Sequence, residues 1–187
     1  DDVWDIADFN TTRATSSRTT GTEMEPYYTM LKTNNSETEF GLVQIYTPSD
    51  RQNIISYLVG TTDGGTNRLS LYKFSEDSNI VGPMQLDNQI EQDEAISSEL
   101  DALSTTGTRL TKQMIVVPIN NTLLYVEPIY QQYINEADAL PVLKKVVVAS
   151  GNKVAIGDNL EQALARLVSQ YAVDIEVENT DNIDDLI

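Results

Sequence analysis

Two glutamates stand in strand-like segments, each directly before a proline. Glu25 lies in "MEPYYTM" (residues 24–30) and Glu127 lies in "VEPIYQQ" (residues 126–132). Because side chains alternate along a strand, both glutamates share a face with apolar neighbours, and both are expected to be partly buried. The prolines indicate an edge position or a bulge. A buried carboxylate must be paired, hydrogen-bonded or protonated, so each glutamate needs an explanation.

Two interpretations of this pair remain open. In the structural one, an ion pair fixes the strand register, with Arg51 as the favoured cation and Arg109 or Lys112 as alternatives. In the functional one, two carboxylates with separated pKa values do acid and base chemistry, as in glycoside hydrolysis. We favour the structural interpretation, because no aromatic cluster that could hold a substrate is nearby in sequence. The candidate set is therefore Glu25, Glu127 and Arg51.

The composition excludes most other chemistry. None of the 187 residues is histidine or cysteine, so nucleophilic triads, thiolate or imidazole zinc sites and disulfides are impossible. "SGNK" (residues 150–153) has the S-x-x-K spacing of penicillin-binding enzymes but falls in a predicted turn. Asp63 with Asn67 offers too few oxygens for an EF-hand-type calcium loop. We therefore predict no catalytic residue, no metal site and no cofactor.

The charge of the chain limits its partners. The formal net charge is −17, and such a negative field repels phosphate backbones, so nucleic acid is not expected as a partner. Other proteins or divalent cations are compatible with it. No apolar run reaches the roughly 18 to 20 residues that span a bilayer, so we expect the fragment itself to be soluble.

The strand predictions consist mainly of hairpins. "YYTMLK" and "EFGLVQIY" form the first, around a polar turn. "MIVVPINNTLLYVEPIY" turns at two asparagines, and "VVVASGNKVAI" turns at Gly151 and Asn152. "RLSLYKF" is a further strand after the loop "TTDGGTN".

Three helical regions are predicted. The segment 47–60 has Thr47 as a cap, Pro48 at the first helical position and Gly60 as a stop. Residues 84–103 form two short helices broken near Asp93, since their apolar positions do not share one phase. The last helix is capped by Asn159 with Gln162 and buries one face. Its apolar positions are Leu160, Ala163, Leu164, Leu167, Val168 and Tyr171.

Together these elements predict the α+β class: a mixed, mainly antiparallel sheet with helices packed on it. The predicted organisation has three parts. Residues 1–23 form a flexible polar leader, residues 24–172 a single α+β domain, and residues 173–187 an acidic, mobile tail.

Several blocks resemble one known family in order and spacing. They are "EPYYTM", "YTPSDRQNIISYL", "GPMQLDNQIEQDEAIS", "MIVVPINNTLLYVEPIYQQ", "LPVLKKVVVASGNKVAI" and "NLEQAL". From about Trp4 to Val168, the chain resembles the C-terminal part of the multi-pass membrane proteins of uncharacterised protein family 0182. The resemblance implies a bacterial or related origin and transmembrane helices before this fragment. It also implies a region outside the cytoplasm, and it implies no activity and no site residues.

From these observations we expect a non-enzymatic, extracytoplasmic binding or assembly domain of a multi-pass protein of the cell membrane. Its first partner would be the transmembrane region of the same polypeptide. One alternative is a hydrolase that uses Glu25, Glu127 or Asp63, with a divalent metal in place of histidine. The other is a regulatory or substrate-gathering domain of a transporter.

Overall fold

A computed structural model describes residues 11–13, 24–32, 38–48, 51–63, 65–75, 80–119, 122–135 and 138–184. Of the leader predicted at residues 1–23, only residues 11–13 belong to the described part of the chain. Residues 185–187, at the end of the predicted tail, also lie outside it. The boundaries of the leader, domain and tail therefore stay predictions.

The first half of the chain forms an antiparallel sheet, called sheet 1. Its strands are β1 (Thr11–Arg13), β2 (Tyr27–Lys32), β3 (Thr38–Pro48), β4 (Ser56–Asp63) and β5 (Thr66–Lys73). The long strand β3 pairs with β4 on one side, and β4 pairs with β5. On its other side β3 pairs first with β2 and then, at its end, with β1.

The second half forms sheet 2, which repeats this arrangement. Its strands are β6 (Thr108–Lys112), β7 (Ile115–Ile119), β8 (Thr122–Tyr133), β9 (Val142–Ser150) and β10 (Lys153–Gly157). The long strand β8 pairs with β9, and β9 with β10. On its other side β8 pairs first with β7 and then with β6. Both predicted hairpins in this half are confirmed.

Three helices are described. They are α1 (Pro83–Gln92), α2 (Glu94–Leu103) and α3 (Leu160–Asp184). The predicted break at Asp93 is confirmed, and its carboxylate accepts the amide of Ile96 at 2.9 Å. The predicted cap of the last helix is also confirmed, since Asn159 accepts the amide of Gln162 at 2.9 Å.

The elements stack in layers around two cores. The larger core fills the space between the inner face of sheet 1, helices α1 and α2, and one face of sheet 2. The smaller core lies on the opposite face of sheet 2, where α3 packs on β9 and β10. The predicted α+β class, with helices on mainly antiparallel sheets, is confirmed, and the strands divide between two sheets instead of joining one.

The helix predicted over residues 47–60 is wrong. Thr47 and Pro48 end strand β3, and Gly60 lies inside β4. Tyr57, Val59 and Thr61 are buried in alternation along β4, which is the period of a strand with one face on the core. The residues around Pro48 are typical of a helix cap, but the apolar positions after them have the period of a strand and not that of a helix.

The buried face of α3 is narrower than predicted. Ala163 and Leu167 are buried, but Leu160, Val168 and Tyr171 are 44%, 65% and 38% exposed. One stripe of the helix contacts sheet 2, so apolar positions one turn to either side remain in solvent. The helix also continues beyond residue 172, into the segment predicted as the tail.

Candidate functional site

Glu127 lies at the centre of sheet 2 and is only 3% exposed. Pairing of β8 with β7 ends at Val126, and pairing with β6 begins at Ile129. Glu127 and Pro128 therefore fall in the gap between two short strands. There, within the described residues, β8 has a paired strand on one side only. This position suits a proline, which lacks a backbone donor, and it answers why a central strand carries one.

Burial changes the ionisation of this carboxyl group. It raises the pKa of Glu127 from 4.5 to about 7, with Lys112 acting to lower it and Asp87 and Glu91 acting to raise it further. Its Oε2 atom is buried and has no hydrogen-bond partner among the described residues. The side chain thus titrates close to neutral pH, and its charged form is poorly stabilised.

The nearest ion pair belongs to a different carboxylate. Asp87 on α1 is 5% exposed, and its Oδ1 lies 3.5 Å from Nζ of Lys112 on β6. Lys112 therefore interacts with two buried carboxyl groups: it forms an ion pair with Asp87, and its positive charge acts at longer range on Glu127. We call Glu127, Asp87 and Lys112 the acidic cluster. It joins α1 to sheet 2 where the gap in β8 lies.

The predicted set is separated in the structure. Glu25 is exposed, contrary to the burial expected from alternation, because it precedes β2 instead of lying within it. Arg51, the favoured partner, is exposed too. Of the two alternatives, Lys112 is the cation that acts on Glu127, while Arg109 bonds a glutamine of β8 at 2.9 Å.

Sequence analysis did not single out Asp87, because it belongs to an acidic stretch of a predicted helix, and such a stretch is usually a solvated surface. The signal was its helical position: it is four residues after Pro83 and three before Ile90, both buried on the face of α1 that meets the core. Within the described residues, no three Asp or Glu side chains are placed to hold a metal ion. The side chain of Asp63 lies outside those described.

A second feature is the face of sheet 1 that points away from the larger core, called the outer face. Its exposed large apolar members are Leu69 (75%), Tyr28 (67%), Phe40 (61%) and Met30 (54%). The rings of Tyr28 and Phe40 stack at 5.2 Å. The register places Leu42, Leu58 and Leu71, all partly buried, on the same face. A contiguous apolar sheet face of this kind marks an interaction surface more often than a scattered exposed leucine does.

The profile of an uncharacterised protein family, UPF0182, matches residues 1–103. The chain belongs to family UPF0182. It is 39% identical over 147 residues to a UPF0182 protein of Pelobacter propionicus, which covers 77% of the chain and 16% of that relative. It is 36% identical over 173 residues to a UPF0182 protein of Solibacter usitatus, covering 90% of the chain and 18% of the relative.

A UPF0182 protein of Caldicellulosiruptor saccharolyticus is 31% identical over 179 residues, 94% of the chain and 19% of the relative. The chain thus spans less than a fifth of the length of these bacterial UPF0182 relatives. No solved structure matches it. Of the helices in the described part of the chain, none combines the length and apolar character needed to cross a membrane.

Proposed function

We propose that this UPF0182 region is a non-enzymatic assembly domain of a multi-pass membrane protein, placed outside the cytoplasm. It binds other protein segments through the outer face of sheet 1. The observation that carries the proposal is the exposure of Leu69, Tyr28, Phe40 and Met30 together on one face of sheet 1. The membrane context is carried by the family resemblance.

Energetics support a role in association. Burying a side chain such as leucine, phenylalanine or methionine stabilises a protein by roughly 1.5–3 kcal/mol relative to leaving it in water. The outer face leaves several such side chains without this stabilisation. Apolar aromatic and methionine side chains are also enriched at protein interfaces, where charged ones are depleted.

The hydrolase alternative has one supporting observation, the raised pKa of Glu127. A general acid must reach its substrate within hydrogen-bond distance. With 3% of its surface exposed, Glu127 offers no such access. An open polar cleft is lined by Gln89, Asp93, Lys153 and Gln170 but not by Glu127, and the carboxylate of Asp93 already caps α2. Assembly is therefore the better-supported function.

The test uses the full-length protein in its membrane. The double variant Phe40→Lys/Leu69→Lys places two charges on the outer face, and limited proteolysis follows how firmly the domain is held. Because both side chains are exposed, the variant should fold and then be cut in this domain at least several-fold faster. Val168→Lys, at a 65% exposed position on α3, is the matched control. Equal cleavage rates of the double variant and this control would overturn the proposal.

A further inference from the structure

The two sheets share one topology, which makes them comparable strand by strand. In each, a long third strand pairs with two short strands along one side and with the fourth strand on the other, and the fourth strand pairs with the fifth. The break between the short strands also matches. It lies between the partners Val43 and Tyr46 in sheet 1, and between Val126 and Ile129 in sheet 2. Each break therefore spans the same two-residue gap.

In sheet 2, a helix covers the face that points away from the larger core. Val146, Val148 and Ala155 on that face are buried against Ala163 and Leu167 of α3. A glycine permits the close approach: a Cβ on Gly157 would lie 2.5 Å from the backbone nitrogen of Ala163. Side chains of α3 also bond the strand β10, with Arg166 on the carbonyl of Ile156 at 2.6 Å and Gln170 on that of Val154 at 2.9 Å.

In sheet 1, the outer face has no helix on it within the described residues. Helices α1 and α2, which follow sheet 1 in the chain, contribute their buried side chains to the larger core on its inner face. By register, Val43 and Val59 on this inner face correspond to Val126 and Val148 on the α3 side of sheet 2, so α1 and α2 take the place of α3 here. The outer face of sheet 1 corresponds instead to the face of sheet 2 that meets α1 and α2 in the larger core, and among the described residues no helix fills that place.

A glycine again lies in the middle of the uncovered face. The pairings Tyr28 with Leu42, Leu42 with Gly60 and Gly60 with Leu69 form one row across sheet 1. A Cβ on Gly60 would have ordinary contacts, 3.4 Å from Leu69 and 3.9 Å from Leu42. Packing within the sheet does not require glycine there, but its presence leaves a shallow notch between two leucines.

We propose that the outer face of sheet 1 binds an amphipathic α-helix supplied by the remainder of the same UPF0182 polypeptide. The helix presents small and leucine side chains on one stripe, as α3 does with Ala163, Leu164 and Leu167. The inference rests on the proposed assembly function and names its partner. The same polypeptide can supply this helix because, in the relatives, more than four fifths of the chain lies outside this region. A tethered segment also has a high effective concentration.

Photo-crosslinking in native membranes tests the occupant. A benzophenone amino acid replaces Phe40 or, separately, Leu69 in the full-length protein, and mass spectrometry locates the crosslinked peptide. We expect crosslinks within one polypeptide, from both positions to a single segment outside this region, at sites three or four residues apart. The same probe at Val168 is the control and should not reach that segment.

Each other outcome has a definite meaning. Crosslinks between two copies of the chain would overturn the tethered helix but leave assembly through this face standing. Crosslinks to a different protein would do the same. No crosslink from either position would overturn both proposals. Gly60→Leu gives an independent measurement: filling the notch should reduce the crosslink yield from Leu69 at least five-fold, and an unchanged yield would contradict the docking of a helix on this row.

Discussion

The hydroxyl of Tyr27 on β2 donates to the carbonyl oxygen of Val116 on β7 at 2.6 Å and accepts from the amide of the same residue at 3.0 Å. One side chain of sheet 1 thus satisfies both backbone groups of a residue in sheet 2. Burial raises the pKa of Tyr27, so the hydroxyl keeps the proton that it donates. This contact couples the two repeated sheets at the edge of β7.

Tyr27→Phe should lower the free energy of unfolding by about 2–4 kcal/mol. Val116 is fully buried, and two buried backbone groups would lose their partner at roughly 1–3 kcal/mol each, with partial relaxation. Urea unfolding measures the change. The adjacent Tyr28→Phe, on the exposed outer face, is the control and should change stability by less than about 0.5 kcal/mol. Equal effects of the two substitutions would show that the contact does not stabilise the fold.

The fold was predictable where local chemistry and periodicity agreed. The break at Asp93, the cap at Asn159 and the turn at Gly151 each combine a specific residue with a clear change of period. The segment around Pro48 failed because its cap residues indicate a helix while the apolar positions after it alternate as in a strand. Where these signals conflict, burial against the neighbouring strand decides.

The candidate site was less predictable because it depends on contacts between distant segments. Alternation alone identified Glu127 as buried, since both faces of β8 are apolar. Its surroundings come from α1 and β6, and no sequence pattern places Asp87 and Lys112 beside it. The outer face of sheet 1 was not recognised either. Apolar residues on both faces of a strand normally indicate burial on both sides, and here one side is exposed.

Stability should fall as the pH rises from about 5 to 8 because of Glu127. Its pKa is raised to about 7 in the folded protein, so between pH 4.5 and 7 the folded state binds more protons than the unfolded state. The free energy of unfolding then decreases with pH, by up to about 3 kcal/mol for this group alone. Urea unfolding at pH 5, 6, 7 and 8 measures the fall.

Glu127→Gln should remove this dependence. The variant should match the unmodified protein at pH 5 and exceed its stability by about 2–3 kcal/mol at pH 8, because an amide cannot ionise. The control is Asp101→Asn, at an exposed position on α2, which removes one carboxylate outside the acidic cluster. Its free energy of unfolding should still decrease as the pH rises. If Glu127→Gln retains the full pH dependence, another group is responsible for it.

Lys112→Met should destabilise the domain by about 2–4 kcal/mol at pH 7. It removes the only direct cation partner that the described residues give Asp87, and a buried charge left without its partner is costly. Adding Asp87→Leu should restore most of the lost stability, because no unpaired buried carboxylate then remains. Unfolding free energies of the two single variants and the double variant form the cycle. Additive losses would mean that Lys112 acts independently of Asp87.

Gly157→Ala should cost about 1–3 kcal/mol, because its Cβ would lie 2.5 Å from the backbone nitrogen of Ala163 and 3.0 Å from its Cα. Neither backbone atom can move without shifting α3 away from sheet 2. Gly60→Ala is the matched control: its Cβ has ordinary contacts, so stability should change by less than about 1 kcal/mol. Denaturant unfolding compares the two. A cost at Gly60 as large as that at Gly157 would mean that the outer face of sheet 1 is already packed, which would also remove the basis for a helix binding there.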